Sequence, residues 1–322
     1  MKPYSCSDQS IQASVSEKDF YFLGVTTAKS SINKVFPLWM QVIGRPEAHL
    51  QVRDLKIHDQ PQKYRQFVNE IKTDPRSLGA LVTTHKIDLY DAAKDLFDYL
   101  DPYAQTCGEI SCISKRDNRL EGHAKDPISA GLSLDAIIPD NYFGSTAAEV
   151  LCFGAGGSGV AIALHLINRS KKGNRPGRFV FINRSQWRLD HAQQMVQSTT
   201  TDIQFEYISN ADPEVNDKIL GTMPGHSLVI NATGMGKDTP GSPISWGAKF
   251  PSAAVAWELN YRGDLDFLHQ ALAQKESRQL IVEDGWVYFL HGWTQVIAQV
   301  LHIDLNQVLF NTLSQTAEIV RN

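Results

Sequence analysis

The sequence predicts an α/β protein of two domains, and three features of the chain indicate this fold. Strand-like apolar runs alternate with helix-like segments in both halves of the 322 residues, which is typical of mostly parallel sheets. An apolar run breaks into a glycine-rich turn at Gly154–Gly159. The loose Pro139–Gly144 segment separates the two alternations and suits a hinge. We therefore predict one domain over 1–131, a second over 132–284, and a return of 285–322 to the first.

Composition places the chain among ordinary globular proteins and excludes several classes of function. The chain is 42% hydrophobic and 20% charged, with a formal net charge of −4. This charge gives no reason to expect a nucleic-acid partner. No apolar stretch reaches the roughly 20 residues of a membrane span. Met1–Phe20 is polar and lacks the apolar core of a signal peptide, so we expect a loose leader.

Cysteine and histidine spacing gives no sign of a metal site or a disulfide framework. No two of the ten histidines have the four-residue spacing of a helical metal site. We therefore expect no metal, and reduced thiols in a cytoplasmic protein. The sequence leaves the oligomeric state open between monomer and homodimer. The four cysteines are Cys6, Cys107, Cys112 and Cys152.

In the first half of the chain, strands are expected to alternate with helices. Two further strands then flank a hairpin turn at 115–118, and a helix from Pro127 to Ile137 follows. The predicted strands are Phe20–Val25, His49–Ile57, Leu78–Thr83, Glu109–Ser114 and Arg119–His123, and the other predicted helices are Lys34–Ile43, Pro61–Lys72 and Ile87–Phe97.

In the second half, the alternation resumes at Ala147 and ends in two helices that are apolar enough to pack on the first domain. We expect a ligand cleft between the two domains. The predicted strands after the glycine-rich turn are Phe179–Arg184, Ile203–Ser209, Ser227–Ala232, Ala253–Leu259 and Leu280–Glu283, and the predicted helices are Gln186–Gln197, Trp286–Leu301 and Leu305–Val320.

The glycine-rich turn has the order of strand, turn and helix that binds a dinucleotide phosphate. Gly154 permits the tight turn, Gly156 lets the backbone approach a pyrophosphate, and Gly159 allows close helix–strand packing. The following helix points its free N–H groups at the ligand. A glycine turn is often only a turn, but the flanking strands at Val150–Phe153 and Arg178–Arg184 favour dinucleotide binding. The other candidate contacts in the turn are Ala155, Gly157 and Ser158.

The end of the next strand indicates NADP rather than NAD. NAD sites usually place an acid here for the ribose 2′-hydroxyl, whereas a 2′-phosphate requires cations. This strand ends in Asn183, Arg184 and Ser185, with Arg188 one turn into the following helix and no acid. A guanidinium can stack on adenine and bind phosphate. Alternatively, both arginines are surface charges at a helix start, where a cation is slightly unfavourable.

Several segments, in shared order from about Tyr21 to Leu301, resemble the shikimate/quinate dehydrogenase family. Gly79–Lys86 is similar to its G-x-N-V-T-x-P-H-K segment, one residue shorter and without the asparagine. Arg119–Asp126 is similar to R-L-x-G-x-N-T-D, and Ile230–Gly236 to I-N-A-T-x-x-G. The resemblance implies an N-terminal substrate domain, a Rossmann NADP domain, and C-terminal helices that return to the first domain. The remaining similar segments are Gly154–Gly159, Asn183–Ser185, Glu258–Tyr261 and Asp284–Gly285.

The resemblance assigns the catalytic pair to Lys86 and Asp126. Oxidation of an alcohol needs a group that takes the hydroxyl proton, and the reverse reaction needs a donor. Lys86, at a helix start near a positive nicotinamide, is expected to have its pKa lowered toward neutrality. Asp126 would hold the lysine and hydrogen-bond the same hydroxyl. Without the resemblance, a surface lysine and an N-cap before Pro127 would be the simpler interpretation.

The resemblance also implies contacts to cofactor and substrate. The loop after strand 228–230 would lie against the cofactor, although its glycines could serve only a tight turn. The substrate positions depart from the family, because Ser111 replaces the asparagine of its A-V-N-T segment and Gly292 or His291 replaces a glutamine. Each missing hydrogen bond is worth about 0.5–1.5 kcal/mol. The candidate cofactor residues in the loop are Asn231, Ala232, Thr233, Gly234 and Met235, and the candidate substrate residues are Lys29, Ser30, Ser31, Thr83, Ser111, Tyr261, Tyr288 and His291.

These expectations describe an NADP(H)-dependent oxidoreductase that interconverts a secondary alcohol and a ketone. Its small-molecule substrate would be a shikimate-like alicyclic compound or a related hydroxy or keto acid. Shikimate itself is an alternative substrate. A non-catalytic NADP-binding regulator and a dehydrogenase of the methylene-tetrahydrofolate type are the alternative functions. The presence of both Lys86 and Asp126 favours an enzyme of the first kind.

Overall fold

Two six-stranded sheets, one from each half of the chain, organise residues 16–169 and 172–321, which the computed structural model describes. The strands of the first sheet are β1 (Lys18–Gly24), β2 (Ala48–Asp54), β3 (Ser77–Val82), β4 (Tyr99–Leu100), β5 (Cys112–Arg116) and β6 (Arg119–His123). The helices around this sheet are α1 (Ile32–Ile43), α2 (Pro61–Thr73), α3 (Lys86–Ala93), α4 (Pro102–Cys107) and α5 (Asp126–Ile137).

The first sheet is mixed and has the strand order β2-β1-β3-β5-β6-β4. β1 pairs in parallel with β2 and β3, and β4 pairs in parallel with β6. β5 runs antiparallel to both β3 and β6. The expected hairpin forms between β5 and β6, where Asp117 and Asn118 take the positive φ angles that these residue types tolerate. The sheet is therefore less uniformly parallel than the simple alternation predicted.

The second sheet is parallel throughout. Its strands are β7 (Val150–Phe153), β8 (Arg178–Asn183), β9 (Gln204–Ser209), β10 (Leu228–Asn231), β11 (Val255–Glu258) and β12 (Ile281–Glu283). They lie in the order β12-β11-β10-β7-β8-β9, so the direction of winding reverses between β7 and β10. Ligands bind at such a switch point, outside the carboxyl ends of the strands. The helices of this half are α6 (Tyr142–Thr146), α7 (Gly157–Asn168), α8 (Gln186–Gln197), α9 (Pro213–Leu220), α10 (Asp266–Leu272) and α11 (Lys275–Arg278).

The last two helices, α12 (Trp286–Leu301) and α13 (Gln307–Glu318), return to the first sheet as expected. One apolar core joins residues of β1 and α1 to Trp293 and Val300 of α12. The buried indole of Trp39 donates a 2.7 Å hydrogen bond to the carbonyl oxygen of Leu313, which ties α13 to α1. The core of the first domain is therefore completed by the end of the chain.

Several expected boundaries were wrong. The predicted helix 87–97 ends at Ala93 and continues as a 3₁₀ turn, and the predicted strand 109–114 begins only at Cys112. The expected hinge overlaps α6. In this helix the rings of Tyr142 and Phe143 are buried, and their centroids lie 5.5 Å apart. The predicted domain boundary at 131/132 falls inside α5 and stays a prediction.

Cys6 and most of the expected leader lie outside the described residues. The cysteines within them, Cys107, Cys112 and Cys152, are buried and free. Among the helices that the structure describes, none combines the length and apolar character that a bilayer crossing requires. In the same part of the chain, no group of three or more histidine, cysteine or acidic side chains is arranged to hold a metal ion.

Candidate active site

A cavity of about 550 Å³ lies between the two sheets and takes its walls from both halves of the chain. The first half contributes the residues that follow β3 and β6, and the second half contributes the glycine-rich turn after β7 and the loop after β10. α12 closes one side with Tyr288, Phe289 and Trp293. Chemically reactive side chains from separate segments therefore face one space.

Lys86 and Asp126 meet in this cavity, as the resemblance implied. Lys86 is the first residue of α3 and Asp126 is the first residue of α5, and both helices begin beside the first sheet. The Lys86 Nζ donates a hydrogen bond to Asp126 Oδ2. Only 17% of the lysine side chain and 11% of the aspartate side chain are exposed. The neighbouring His85 has a structural role, since its ring bonds to the Tyr64 hydroxyl and the Gly24 carbonyl oxygen.

Glu109 is an additional acid in this centre, and the sequence reasoning missed it. Its side chain is buried and lines the cavity. Its Oε2 lies 2.5 Å from the position that a Cβ atom on Gly157 would occupy. Burial, together with the charge of Asp126, raises the pKa of Glu109 to about 8. The only sequence signal was a lone charge within the otherwise uncharged segment from Cys107 to Cys112.

The electrostatic surroundings of Lys86 differ from the expectation. Burial lowers the pKa of Lys86, but the acidic neighbours, Asp126 first and then Glu109 in its ionised form, outweigh burial and raise the pKa above its usual range. The predicted lowering toward neutrality concerned a site with a positive nicotinamide beside Lys86, so it stays a prediction, whereas in the free protein the pKa is shifted in the other direction. The ammonium form is the stable form of this lysine in the resting site.

The glycine-rich turn has the geometry that a dinucleotide cradle needs. Gly154 has a φ of 106°, and a Cβ there would lie 2.6 Å from the Ala232 carbonyl oxygen. A Cβ on Gly159 would lie 2.3 Å from the Gly154 carbonyl oxygen, so this glycine permits α7 to pack against the turn. Gly156, Gly157 and Ser158 line the cavity. These residues fit a bound pyrophosphate at the start of α7.

The residues after β8 form the far end of the cavity. Arg184, Ser185 and Arg188 line it, and a guanidinium nitrogen of Arg188 lies 2.7 Å from where a Cβ of Gly156 would be. Burial lowers the pKa of Arg188. Asn183 instead braces the turn, because its amide accepts a bond from the Ala155 N–H and donates one to the Ser185 carbonyl oxygen. This end of the cavity therefore carries two guanidiniums, Arg188 beside the glycine-rich turn and Arg184 at the end of β8.

A buried carboxylate organises the loop after β10. Ala232, Thr233, Gly234 and Met235 line the cavity, whereas Asn231 is buried beneath them. The Asn231 amide donates a 2.6 Å bond to Glu258 Oε2 and accepts a bond from the Thr233 hydroxyl. Asn260 donates to Glu258 Oε1 and to the Thr233 carbonyl oxygen. Burial raises the pKa of Glu258 to about 7.

Five of the eight candidate substrate residues face the cavities. An adjoining cavity of about 120 Å³ contains Ser30 and Tyr261, whose hydroxyl oxygens lie 3.5 Å apart. Tyr288 donates a 3.1 Å bond to the Ser158 hydroxyl and so links α12 to the glycine-rich turn. The five that line one or both cavities are Ser30, Thr83, Ser111, Tyr261 and Tyr288.

The other three candidates lie elsewhere. Lys29 is exposed on a 3₁₀ turn, and Ser31 precedes α1 at its N-cap, so neither lines the two cavities. His291 is buried on another face of α12, where its ring stacks on Phe310 at 4.1 Å. Gly292 lines the cavity instead, and a Cβ there would meet no atom within 4 Å. Gly292, one of the two residues predicted to replace the family's glutamine, therefore borders open space in the cavity.

Comparison with known proteins was made by sequence and by structure. No protein-family model matches the chain. A shikimate dehydrogenase (NADP(+)) of Streptococcus thermophilus is 26% identical over 189 residues. That alignment spans 57% of this chain and 60% of the relative's own length. The sequence similarity is thus real but covers little more than half of either protein.

Solved structures match the chain over nearly its whole length. A shikimate dehydrogenase in complex with NADP⁺ has a TM-score of 0.70 at 16% identity, covering 95% of this chain and 96% of that one. A Corynebacterium glutamicum quinate dehydrogenase in complex with NAD has a TM-score of 0.69 at 14% identity, covering 94% and 98%. A 5-ketofructose reductase of Gluconobacter sp. strain CHM43 has a TM-score of 0.67 at 18% identity, covering 95% and 99%. The chain therefore has the two-domain fold of the shikimate and quinate dehydrogenase family.

Proposed function

We propose that this protein is an NADP(H)-dependent oxidoreductase that interconverts a secondary alcohol and a ketone on a small polyhydroxylated or acidic compound. The observation that carries the proposal is the Lys86–Asp126 ion pair, which faces the same cavity as the glycine-rich cradle. A cradle alone would support only nucleotide binding. A proton-exchanging pair beside it supports oxidation and reduction.

The chain's own residues supply binding, orientation and the proton. The glycine-rich turn and the loop 232–235 would hold the dinucleotide, which when bound supplies or accepts the hydride at the reacting carbon. Lys86, as the ammonium, donates a proton to the ketone oxygen during reduction, and as the amine it takes the hydroxyl proton during oxidation. Asp126 holds the Nζ of Lys86 toward the cavity. Tyr288 and Trp293 line the cavity on the α12 side and would lie against the substrate.

The choice of NADP rests on the residues after β8. Arg184 is exposed there and can reach a 2′-phosphate, and Arg188 faces the cradle. Among the structural relatives, one was solved with NADP⁺ and another with NAD, so the fold itself accommodates either dinucleotide. Two guanidiniums and no acid at this position favour the phosphorylated form.

The substrate pocket supports a relative of shikimate more than shikimate itself. The Ser30 and Tyr261 hydroxyls form a small polar cluster that suits a carboxylate or a hydroxyl group. Gly292 offers no side-chain partner, and the Ser111 hydroxyl already accepts a 2.8 Å bond from the Lys125 N–H. The structural relatives are named for shikimate, quinate and 5-ketofructose. We therefore propose a polyhydroxylated alicyclic compound or a related hydroxy or keto compound, with shikimate as the alternative.

Substrate-dependent consumption of NADPH tests the proposal. We expect turnover with at least one member of a panel containing 3-dehydroshikimate, 3-dehydroquinate, 5-ketofructose and simple cyclic ketones. Lys86→Ala should lower kcat by at least about 100-fold, the usual contribution of acid–base catalysis, while NADPH binding is retained. The exposed Lys34→Ala variant is the matched control and should keep full activity. Normal turnover by Lys86→Ala would remove the lysine from the mechanism.

A non-catalytic regulator and a folate-type dehydrogenase remain the competing functions. The regulator would bind NADPH, measured by quenching of protein fluorescence, yet consume none with any ketone of the panel. The folate-type enzyme would turn over methylene-tetrahydrofolate and leave cyclic ketones unchanged.

The cytoplasmic location and the monomeric or dimeric state stay predictions.

A further inference from the structure

The Glu109 carboxyl group and the Lys86 side chain lie against the same residue, since Glu109 Oε2 is 2.5 Å and Lys86 Cδ is 3.7 Å from the position that a Cβ atom on Gly157 would occupy. The Glu109 N–H donates to the Ala104 carbonyl oxygen at 3.3 Å, and the next residue, Ile110, donates to the Lys86 carbonyl oxygen at 3.1 Å. The side chain is 1% exposed. Its Oε1 has no hydrogen-bond partner among the described residues, although it belongs to the wall of the cavity. Such a buried, unpartnered oxygen is costly unless the group is neutral or serves a ligand.

The charges around Glu109 favour its neutral form. Burial raises the pKa of Cys107 and of Tyr288, so both neighbours are uncharged at neutral pH. Lys86 and Asp126 already neutralise each other. Among the described residues, Lys86 is the one cation that acts on Glu109, so an ionised Glu109 would add a negative charge that no further cation there balances. The titratable groups that interact with it are Lys86 from α3, Cys107 from α4, Asp126 from α5 and Tyr288 from α12.

We propose that Glu109 holds a proton in the resting site and is a positioning residue, which through its own charge sets how firmly Lys86 retains the reaction proton. This inference rests on the proposed oxidoreductase function. Neutral Glu109 leaves the Lys86–Asp126 pair alone in the cavity. Ionised Glu109 adds a second carboxylate beside the ammonium, which then releases its proton less readily. Alcohol oxidation, which needs the amine form of Lys86, is therefore restrained when Glu109 ionises.

The pH dependence of alcohol oxidation tests this role. Glu109→Gln keeps the shape of the side chain and removes its ability to ionise. Below about pH 6 the variant and the wild type should oxidise the alcohol of the active panel member at similar rates, because the side chain at position 109 is uncharged in both proteins. By about pH 9 the variant should be faster by about tenfold, the effect of one pKa unit on Lys86. A ratio that stays constant with pH would indicate a merely structural role and overturn the inference.

A second measurement needs neither substrate nor cofactor. Folding raises the pKa of Glu109 from its ordinary value to about 8. The folded wild type therefore binds more protons than the unfolded chain between about pH 5 and pH 8. As pH rises through that window, the free energy of unfolding of the wild type falls relative to that of Glu109→Gln. In urea unfolding, the midpoint of the variant minus that of the wild type should therefore increase from pH 5 to pH 8. The exposed Glu276→Gln variant is the control and should show a flat difference.

These results separate the two proposals. If the wild type consumes no NADPH with any ketone but the unfolding difference increases as described, the oxidoreductase function fails and the proton on Glu109 stands. A flat unfolding difference overturns the inference whatever the enzyme does. Should Glu109→Gln fail to fold, the carbon-13 NMR signal of the Glu109 carboxyl in the wild type decides. Titration between pH 7 and pH 9 supports the inference, and titration near the ordinary value of about 4.3 overturns it.

Discussion

Arg184 and Arg188 face the same end of the cavity in different surroundings. Arg184 is exposed at the end of β8, whereas Arg188 is half-buried with its guanidinium against Gly156. An exposed cation beside the ribose end of a dinucleotide can contact a 2′-phosphate, while a guanidinium over the cradle contacts any pyrophosphate. The two arginines should therefore contribute differently to NADPH and NADH binding.

Arg184→Ala should raise the Kd for NADPH by about tenfold or more, since a hydrogen bond to a charged group contributes about 1.5–3 kcal/mol. The Kd for NADH should stay within a factor of about two. Fluorescence titration with both dinucleotides measures the two constants, and Arg53→Ala, on the exposed edge of the first sheet, serves as the control. Equal weakening of both dinucleotides would show that Arg184 binds a part they share, and would contradict a 2′-phosphate site.

Single residues also show where sequence reasoning stopped. Lys86 and Asp126 were found because each lies in a segment with a recognisable pattern. Glu109 stands where the A-V-N-T segment has alanine, and nothing in its immediate neighbours indicates that it points at Lys86. His291 was chosen over Gly292 because sequence alone does not define which face of α12 meets the cavity. Side-chain direction at a site comes from packing between elements that are distant in sequence.

At the scale of elements, the buried strands were the most predictable part of the molecule. β7, β8, β10 and β11 are apolar runs bounded by glycine or polar residues, and a parallel sheet buried on both faces needs such runs. Helices that bury only a few residues were not predicted. In α9, for example, only Asn216 and Leu220 are buried, so its sequence resembles a polar loop.

A glycine-to-alanine exchange should have opposite effects on stability in α7 and in α12. Gly159→Ala should destabilise the protein by about 1–3 kcal/mol, because the added methyl group meets the Gly154 carbonyl oxygen at 2.3 Å. Gly292→Ala should stabilise it by about 0.5–1 kcal/mol, because the helix gains propensity and the methyl group enters open space. Urea unfolding measures both. Equal effects of the two exchanges would mean that α7 does not pack on the turn as described.

The whole molecule places its cofactor cradle and its catalytic pair in different halves of the chain. Tyr288 of α12 bonds to Ser158 of the cradle, and α12 packs on the first sheet, so the helix joins the cradle to the unit that carries the catalytic pair. The two-domain layout could be predicted because both alternations and their glycine turn are visible in the sequence. The mixed first sheet could not, since the reversal at β5 follows from strand pairing rather than from the pattern of any one strand.

NADPH should stabilise both halves together if it lies in this cavity. At about 100 times its Kd, a ligand that binds only the folded state adds roughly 2.7 kcal/mol. Hydrogen–deuterium exchange should then slow at the start of α7 and also at the start of α3, where Lys86 lies. Protection confined to α7 and β8 would place the dinucleotide on the second sheet alone, away from the proton-exchanging pair.

The completion of the first sheet's core by α12 has a consequence for biosynthesis. During translation, β1 leaves the ribosome early. Trp293 and Val300, which pack on the same face of the first sheet as β1, leave it only after the entire parallel sheet over 150–283. The apolar face of the first sheet therefore stays exposed while the segment 150–283 is synthesised and folds. Chaperone dependence and aggregation during slow translation should arise from this delay, and long-range closure of this kind also slows refolding.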